Sequence, residues 1–179
     1  MSRFRRCLPG VAACVFVVAG LAVYAQTAPD APNVAGIFFS TSSGWQRLFE
    51  TTTDGMTPTG CYFEPCGSHT DFRTIYNGPR SPVQLSERRP TFYVNLGWRP
   101  DRHVQQIQVV RLRVRKGYRE MRYWWDIDSM RFGLADSTPV VGEYTPGGVL
   151  TVRPVTALEP GQYVLSLGPI AQTYDFEIQ

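Results

Sequence analysis

The chain has 179 residues, of which 13% are aromatic, and it carries 18 basic and 15 acidic side chains. The excess of positive charge comes entirely from the first 25 residues, which hold three arginines and no acid, so the remainder has 15 of each. This even balance excludes a general electrostatic attraction for nucleic acid.

The first 25 residues have the layout of a secretory signal peptide. Arg3, Arg5 and Arg6 form a positive start, and a long apolar run follows them. Val23 and Ala25 place small side chains where a signal peptidase cuts. We therefore expect cleavage after Ala25 and export to the periplasm or the medium, with no transmembrane segment in the mature chain.

Two other interpretations of this segment remain open. A membrane anchor needs roughly 20 apolar residues, and this run is barely that long and is weakened by Pro9, Gly10 and Gly20. A lipoprotein signal would leave Cys14 as the lipidated first residue, but most of the apolar run follows Cys14 rather than preceding it.

Residues 26–35 are rich in proline and polar side chains, which predicts a flexible linker. The rest of the chain, residues 36–179, is long enough for one domain with its own core. We divide it into a hairpin with a disulfide loop, residues 36–82, and a main sandwich, residues 83–179.

The first predicted strands form a hairpin. Gly36–Ser40 and Gly44–Thr52 are β-rich and flank the turn sequence "TSSG". The sequence "DGMTPTG" then predicts a break in strand structure. The stretch Cys61–Pro82 is expected to be a loop, with one short strand at Phe72–Tyr76.

The middle of the chain predicts three strands. Pro90–Leu96 is the first, and Ile107–Arg115 alternates so regularly that one face must be buried and the other solvated. The buried side chains of that strand are Val110, Leu112 and Val114, and the solvated ones are Arg111, Arg113 and Arg115. A turn at Lys116 and Gly117 leads to a strand at Glu120–Ile127, which places Met121, Tyr123, Trp125 and Ile127 opposite Arg122, Trp124 and Asp126.

Five more short strands follow, at "RFGLA", "VVGEY", "GVLTVRPV", "QYVLSL" and "TYDFEI". The second and third are joined by the turn signal "TPGG". Short strands with turns every eight to twelve residues predict an all-β protein, an antiparallel β-sandwich of immunoglobulin-like type, with a barrel as the alternative.

The motif Leu-x-Pro-Gly-x-Tyr near the C-terminus supports the sandwich. Pro160 and Gly161 form a turn, and Tyr163 follows at the start of a strand, where its ring packs and its hydroxyl caps nearby backbone as in a tyrosine corner. Together with "GIFFSTSSGWQRL", "RRPTFYVNL" and "VVRLRVRKGYREM", this ending resembles exported bacterial β-sandwich proteins of unknown function. The resemblance implies a fold and a compartment, and it carries no catalytic residues.

The cysteines left after cleavage are Cys61 and Cys66. A pair this close in an exported protein predicts a disulfide. A zinc site of Cys61, Cys66, His69 and Asp71 is a weaker alternative because the sequence lacks a second pair of ligands. A redox pair is another, although its usual spacing is Cys-x-x-Cys at a helix start.

Catalytic motifs are sparse. There is no Gly-x-Ser-x-Gly elbow, phosphate loop or dinucleotide motif, and no cofactor is expected. The sequence therefore assigns no catalytic residue. A secreted hydrolase that uses His69 or His103 as its base stays open as the alternative function.

Two groups of residues are candidates for binding. Trp98 and Trp124 could each stack on a sugar ring or a partner surface, and each could equally fill the core. The arginine stripe of Arg111, Arg113 and Arg115, extended by Arg119 and Arg122, could recognise an anion or simply be a solvated strand face.

The sequence thus predicts a non-catalytic binding or interaction module of the cell envelope. Its expected partner is an envelope protein, a glycan or an anionic surface ligand.

Overall fold

The computed structural model describes residues 34–41, 44–59, 69–95, 107–126, 128–129, 131–168 and 172–179. Within these ranges the regular structure is all strand, with no helix, as the sequence predicts. In chain order the strands are β1 (Gly36–Thr41), β2 (Gly44–Leu48), β3 (Thr53–Pro58), β4 (His69–Asn77), β5 (Gln84–Leu85), β6 (Phe92–Asn95), β7 (Gln108–Arg111), β8 (Arg113–Arg115), β9 (Tyr118–Asp126), β10 (Arg131–Leu134), β11 (Ser137–Thr138), β12 (Val140–Tyr144), β13 (Leu150–Pro154), β14 (Gly161–Ser166) and β15 (Thr173–Ile178).

These strands form three sheets. Sheet A has the order β12-β13-β6-β1-β2 and sheet C the order β11-β7-β14-β15-β5. Sheet B has the order β10-β9-β4-β3, with β8 also paired to β9. All pairs are antiparallel except β15 with β5.

Sheet C is the middle layer. One core lies between sheets A and C and includes Phe39, Phe92, Leu150, Tyr163 and Phe176. A smaller core lies between sheets C and B and includes Tyr76, Val110, Leu112, Met121, Tyr123 and Val164. The predicted sandwich is therefore present as sheets A and C, and sheet B covers the second face of sheet C.

Strand β15 lies in the middle layer, and all six of its residues are buried. Tyr174, Phe176 and Ile178 join the core on the sheet A side. The alternate residues, Thr173, Asp175 and Glu177, face the other way and are buried although they are polar. Buried polar groups are costly unless they are hydrogen-bonded.

Arg119 of β9 supplies the main partner for this polar row. Its guanidinium is 2% exposed and forms a buried ion pair with Asp175, which ties sheet B to sheet C. Its other nitrogens donate to the carbonyls of Gly78 and Asn77, at 3.0 Å each. Thr51 Oγ1 donates to the second carboxylate oxygen of Asp175 at 2.7 Å.

Tyr76 closes the same network. Its hydroxyl donates to Thr173 Oγ1 at 3.2 Å, and the Arg119 guanidinium lies 6.0 Å from its ring centre. Burial raises the pKa of Tyr76 to about 12. The tyrosine therefore stays neutral as a donor through the range in which an exposed phenol would ionise.

Several strand predictions are confirmed. β1 and β2 pair as the predicted hairpin, and β12 and β13 flank the predicted turn. Gly148 in that turn and Gly117 in the turn between β8 and β9 both have a positive φ, of 80° and 89°. The hairpin is an integral part of sheet A, because β1 also pairs with β6.

Two predictions are wrong. The stretch "DGMTPTG" is largely strand β3, which pairs with β4 through a register shift between Thr53 and Met56. Gly55 there has a φ of 85°, which glycine adopts readily. The segment can therefore form an irregular strand although it contains residues that are typical of turns. The short strand predicted at Phe72–Tyr76 is confirmed, but the loop expected on either side of it is wrong in part. The strand extends to the nine residues of β4, because β9 pairs along its whole length.

The third correction concerns Ile107–Arg115, which is two strands in two sheets. β7 pairs with β14 in sheet C, and β8 pairs with β9 in sheet B. Val110 and Leu112 are buried as predicted, but Val114 is 54% exposed because β8 has left sheet C. The prediction that Arg119 extends the solvated arginine stripe is also wrong, because Arg119 is buried in the ion pair with Asp175.

The Asp175–Arg119 pair gives a direct stability test. Asp175→Asn should lower the free energy of unfolding by about 3–5 kcal/mol, because it leaves the Arg119 charge buried without a counter-charge. Asp136→Asn is the matched control, since Asp136 pairs with Arg113 where both are about half exposed; its cost should not exceed about 1 kcal/mol. Urea denaturation measures both, and equal effects would contradict the role given to the buried pair.

Candidate functional site

The chain leaves the middle layer at Leu112. The backbone N–H of Leu112 donates to the carbonyl of Gln162 at 2.8 Å, which is its last hydrogen bond to β14 before β8 begins in sheet B. A cleft of about 380 Å³ opens at this crossing. We call it the crossing cleft, and it is lined by Arg111, Leu112, Arg113, Val114, Asp136 and Gln162.

The Leu-x-Pro-Gly-x-Tyr motif positions Arg111. Arg111 Nη2 donates to the carbonyl of Pro160 at 3.1 Å, and its guanidinium carbon lies 5.9 Å from the centre of the Tyr163 ring. A Cβ atom on Gly161 would lie 3.3 Å from Nη2, so glycine leaves room for the guanidinium. The Tyr163 hydroxyl donates to the carbonyl of Glu159 at 2.7 Å, which holds the turn that contains Pro160.

A second turn positions Arg113. Asp136 lies between β10 and β11 with a φ of 58°, in the left-handed region. Its carboxylate accepts a hydrogen bond from Arg113 Nε at 3.2 Å, and its carbonyl accepts one from the Arg111 backbone N–H at 3.0 Å. The two arginines of the crossing cleft are thus held by two turns that the folded layers bring together.

Arg115 lies on the outer face of sheet B, the face on which Arg113 is directly opposite Glu120. Its guanidinium donates to Glu120 Oε1 at 3.0 Å and 3.2 Å. Glu120 is 5% exposed, and Arg73 Nη1 lies 4.0 Å from its other oxygen. The predicted stripe is therefore divided. Arg111 lies in the crossing cleft, Arg113 borders both the cleft and this face, and Arg115 lies on this face; each of the three has a partner.

Arg73 and Arg122 are directly opposite each other on the outer face, on β4 and β9. Arg122 Nη2 lies 3.9 Å from Asp71 Oδ2. Arg73 Nε is buried and has no hydrogen-bond acceptor among the residues that the structure describes. Sequence reasoning missed Arg73, because nothing local in "FRTIY" reveals which strand lies beside it.

Trp124 lies on the same outer face, packed over β10. It is directly opposite Gly133, and a Cβ atom there would lie 2.3–2.5 Å from three atoms of the indole ring. Trp125 points to the other side, where its ring centre is 6.4 Å from that of Phe132. The predicted alternation of Met121 and Tyr123 against Arg122 and Trp124 is confirmed.

Other candidates lie outside the described residues, namely Cys61, Cys66, Trp98 and His103. His69 is placed only as the first backbone residue of β4. Asp71, the last member of the weak metal set, lies near Arg122. In the described part of the chain, no group of three or more possible ligands could hold a metal ion.

Comparison of the chain with known protein families, with curated proteins and with solved structures gives no match. Over the same described ranges, no helix is long and apolar enough to cross a membrane. The function must therefore be argued from the surfaces themselves.

Gly133→Ala tests the packing of Trp124. The added methyl group would occupy the space of the indole, so the ring must move, and we expect a loss of about 1–3 kcal/mol in unfolding free energy. Tryptophan fluorescence and near-ultraviolet circular dichroism should change with it. Gly147→Ala is the control, because the nearest atom to its Cβ would be 3.8 Å away; an equally stable Gly133→Ala with unchanged spectra would refute the contact.

Proposed function

We propose that this protein is an exported, non-catalytic binding module of the cell envelope, and that its crossing cleft captures a ligand with an anionic group. One observation carries the proposal: the cleft joins two arginines, Arg111 and Arg113, to an apolar side chain, Val114, that is 54% exposed. Such a combination of charge and apolar surface suits an amphiphilic anion.

The size and chemistry of the cleft support this ligand class. Its volume of about 380 Å³ falls within the roughly 300–1,000 Å³ of small-molecule sites. Guanidinium groups bind carboxylates and phosphates with paired hydrogen bonds. Arg111 uses Nη2 on the Pro160 carbonyl and Arg113 uses Nε on Asp136, which leaves other donors of each fork for an incoming oxygen anion.

Octanoate and octylamine provide a matched pair of probes, with one chain length and opposite charge. We expect octanoate to bind the full chain in isothermal titration calorimetry, more weakly as salt is added, and octylamine to give no measurable binding. The double variant Arg111→Gln/Arg113→Gln should bind octanoate at least roughly tenfold more weakly, because both guanidinium contacts are lost.

Arg153→Gln is the control for the loss of one positive charge elsewhere, since Arg153 is an exposed residue of β13 in sheet A. It should bind octanoate like the wild type. The proposal fails if octylamine binds as tightly as octanoate, or if the double variant keeps the wild-type affinity.

Export rests on the N-terminal sequence. Three arginines, an apolar run and the small residues before Gln26 favour a cleaved leader. Cys61 and Cys66 would then enter an oxidising compartment and form a disulfide.

Intact-mass measurement tests these two points together. The protein recovered from the periplasm should begin at Gln26 and should be two hydrogens lighter than its reduced form. A chain that keeps its leader, or one with two titratable thiols, would contradict the proposed compartment or the disulfide, respectively.

A further inference from the structure

A second, smaller cleft opens where the chain passes from β2 toward sheet C. The backbone N–H of Thr51 donates to the carbonyl of Thr173 at 2.9 Å, which ties the segment after β2 to the start of β15. The cleft beside this segment has a volume of about 240 Å³, below the roughly 300–1,000 Å³ of small-molecule sites in general. We call it the edge cleft, and its lining includes Gly36, Arg47, Phe49, Glu50, Gln172 and Tyr174. Its size limits an occupant to a molecule of few atoms.

Two opposite charges line the edge cleft without pairing with each other. Arg47 has no hydrogen bond or ion pair within the described ranges, and Glu50 has a partner on one oxygen only, since Oε2 accepts from Gln172 Nε2 at 3.0 Å. Burial raises the pKa of Tyr174, the Glu50 carboxylate raises it further, and the Arg47 guanidinium lowers it. Both charges therefore lie near the same tyrosine hydroxyl, although no ion pair joins them.

Neighbouring residues hold each charge in place. The Tyr174 hydroxyl donates to Gln172 Oε1 at 3.3 Å, which turns the amide nitrogen of Gln172 toward Glu50. A Cβ atom on Gly36 would lie 3.0 Å from Arg47 Nε, so glycine leaves room for the guanidinium. The cleft thus keeps a positive and a negative group apart at fixed positions.

The edge cleft also offers apolar surface. Phe49 is 69% exposed, the highest value for a large apolar side chain in the described part of the chain. The Arg47 guanidinium carbon lies 5.8 Å from the centre of its ring. Ile37 and Leu48 line the same cleft and are fully buried. Two separate charges beside an exposed aromatic ring suit a molecule that carries both charges and an apolar group.

We propose that the edge cleft binds a small zwitterion, a free α-amino acid with an apolar side chain, and that this site is independent of the crossing cleft. Arg47 binds the α-carboxylate, since a guanidinium pairs two N–H groups with two carboxylate oxygens. The second oxygen of Glu50 accepts a hydrogen bond from the α-ammonium group. The apolar side chain packs on Phe49. A molecule with a single charge leaves either Arg47 or Glu50 without a partner.

L-phenylalanine, 2-phenylethylamine and 3-phenylpropionate are the probes, because they share a phenyl group and differ in charge at neutral pH. The zwitterion should bind the full chain in isothermal titration calorimetry with a Kd on the order of 1 mM or tighter. Each singly charged analogue should bind at least roughly tenfold more weakly, because it lacks one ionic contact. The analogues are titrated into the Arg111→Gln/Arg113→Gln variant, so that the crossing cleft does not take up the anion, and this variant should bind phenylalanine like the wild type.

Arg47→Gln and Glu50→Gln should each weaken phenylalanine binding by roughly tenfold or more. Both side chains are exposed, so the melting temperatures of these variants should stay close to that of the wild type. Arg153→Gln and Glu143→Gln are the matched controls, because they remove the same charges from exposed positions of β13 and β12, toward the opposite edge of sheet A. Both controls should keep the wild-type affinity.

Four results would overturn the proposal. They are no phenylalanine binding to the wild type at about ten times the expected Kd, an analogue that binds as tightly as phenylalanine, charge variants that bind like the controls, and charge variants that melt well below the controls. The last of these would mean that Arg47 and Glu50 support the fold rather than a ligand. The octanoate result bears on none of them, because the two experiments change different residues.

Discussion

The central strands of sheet C, β14 and β15, are buried on both faces, and the arrangement of the other two sheets follows from that constraint. The polar side chains of these two strands need partners inside the protein. Asp175 has Arg119 and Thr51, and Gln162 accepts a hydrogen bond from the backbone N–H of Ser81 at 2.8 Å. The Arg80 guanidinium on Glu177 lowers the pKa of that carboxyl, so the ion pair persists into mild acid.

The same constraint explains where the crossing cleft lies. The chain changes sheets at Leu112, which is buried, and the arginines on both sides of that residue are exposed: Arg111 at the end of β7, and Arg113 and Arg115 in β8. The crossing cleft forms at this change of layer.

Local patterns in the sequence predict much of this fold. The alternation of apolar and polar residues predicts β9. Turn-forming residues predict the two hairpins whose turns contain Gly117 and Gly148. The Leu-x-Pro-Gly-x-Tyr motif predicts the turn at Pro160, and the arginine stripe of the sequence makes Arg111 and Arg113 candidates for binding. These features depend on residues within a few positions of one another, which a single sequence records directly.

The number of layers could not be predicted in the same way. "TYDFEI" alternates apolar and polar residues like a strand with one wet face, yet β15 is buried on both faces. Its polar side is acceptable only because Arg119 lies 56 positions earlier in the chain. For the same reason, the sequence predicts Arg119 to be one more arginine at the surface. Pairing across such distances, including Arg73 with Arg122, leaves no local signature.

The two arginine pairings of sheet B differ in their environment. Where a guanidinium is buried, at Arg119, every nitrogen has an acceptor, as the cost of an unpaired internal charge demands. Where guanidinium groups lie nearer the surface, at Arg73 and Arg122, two arginines stand opposite each other and each lies within 4.0 Å of a carboxylate, on Glu120 and Asp71. Solvent screens charges on that face, so longer ion pairs suffice there, whereas the interior requires the full set of hydrogen bonds that Arg119 makes.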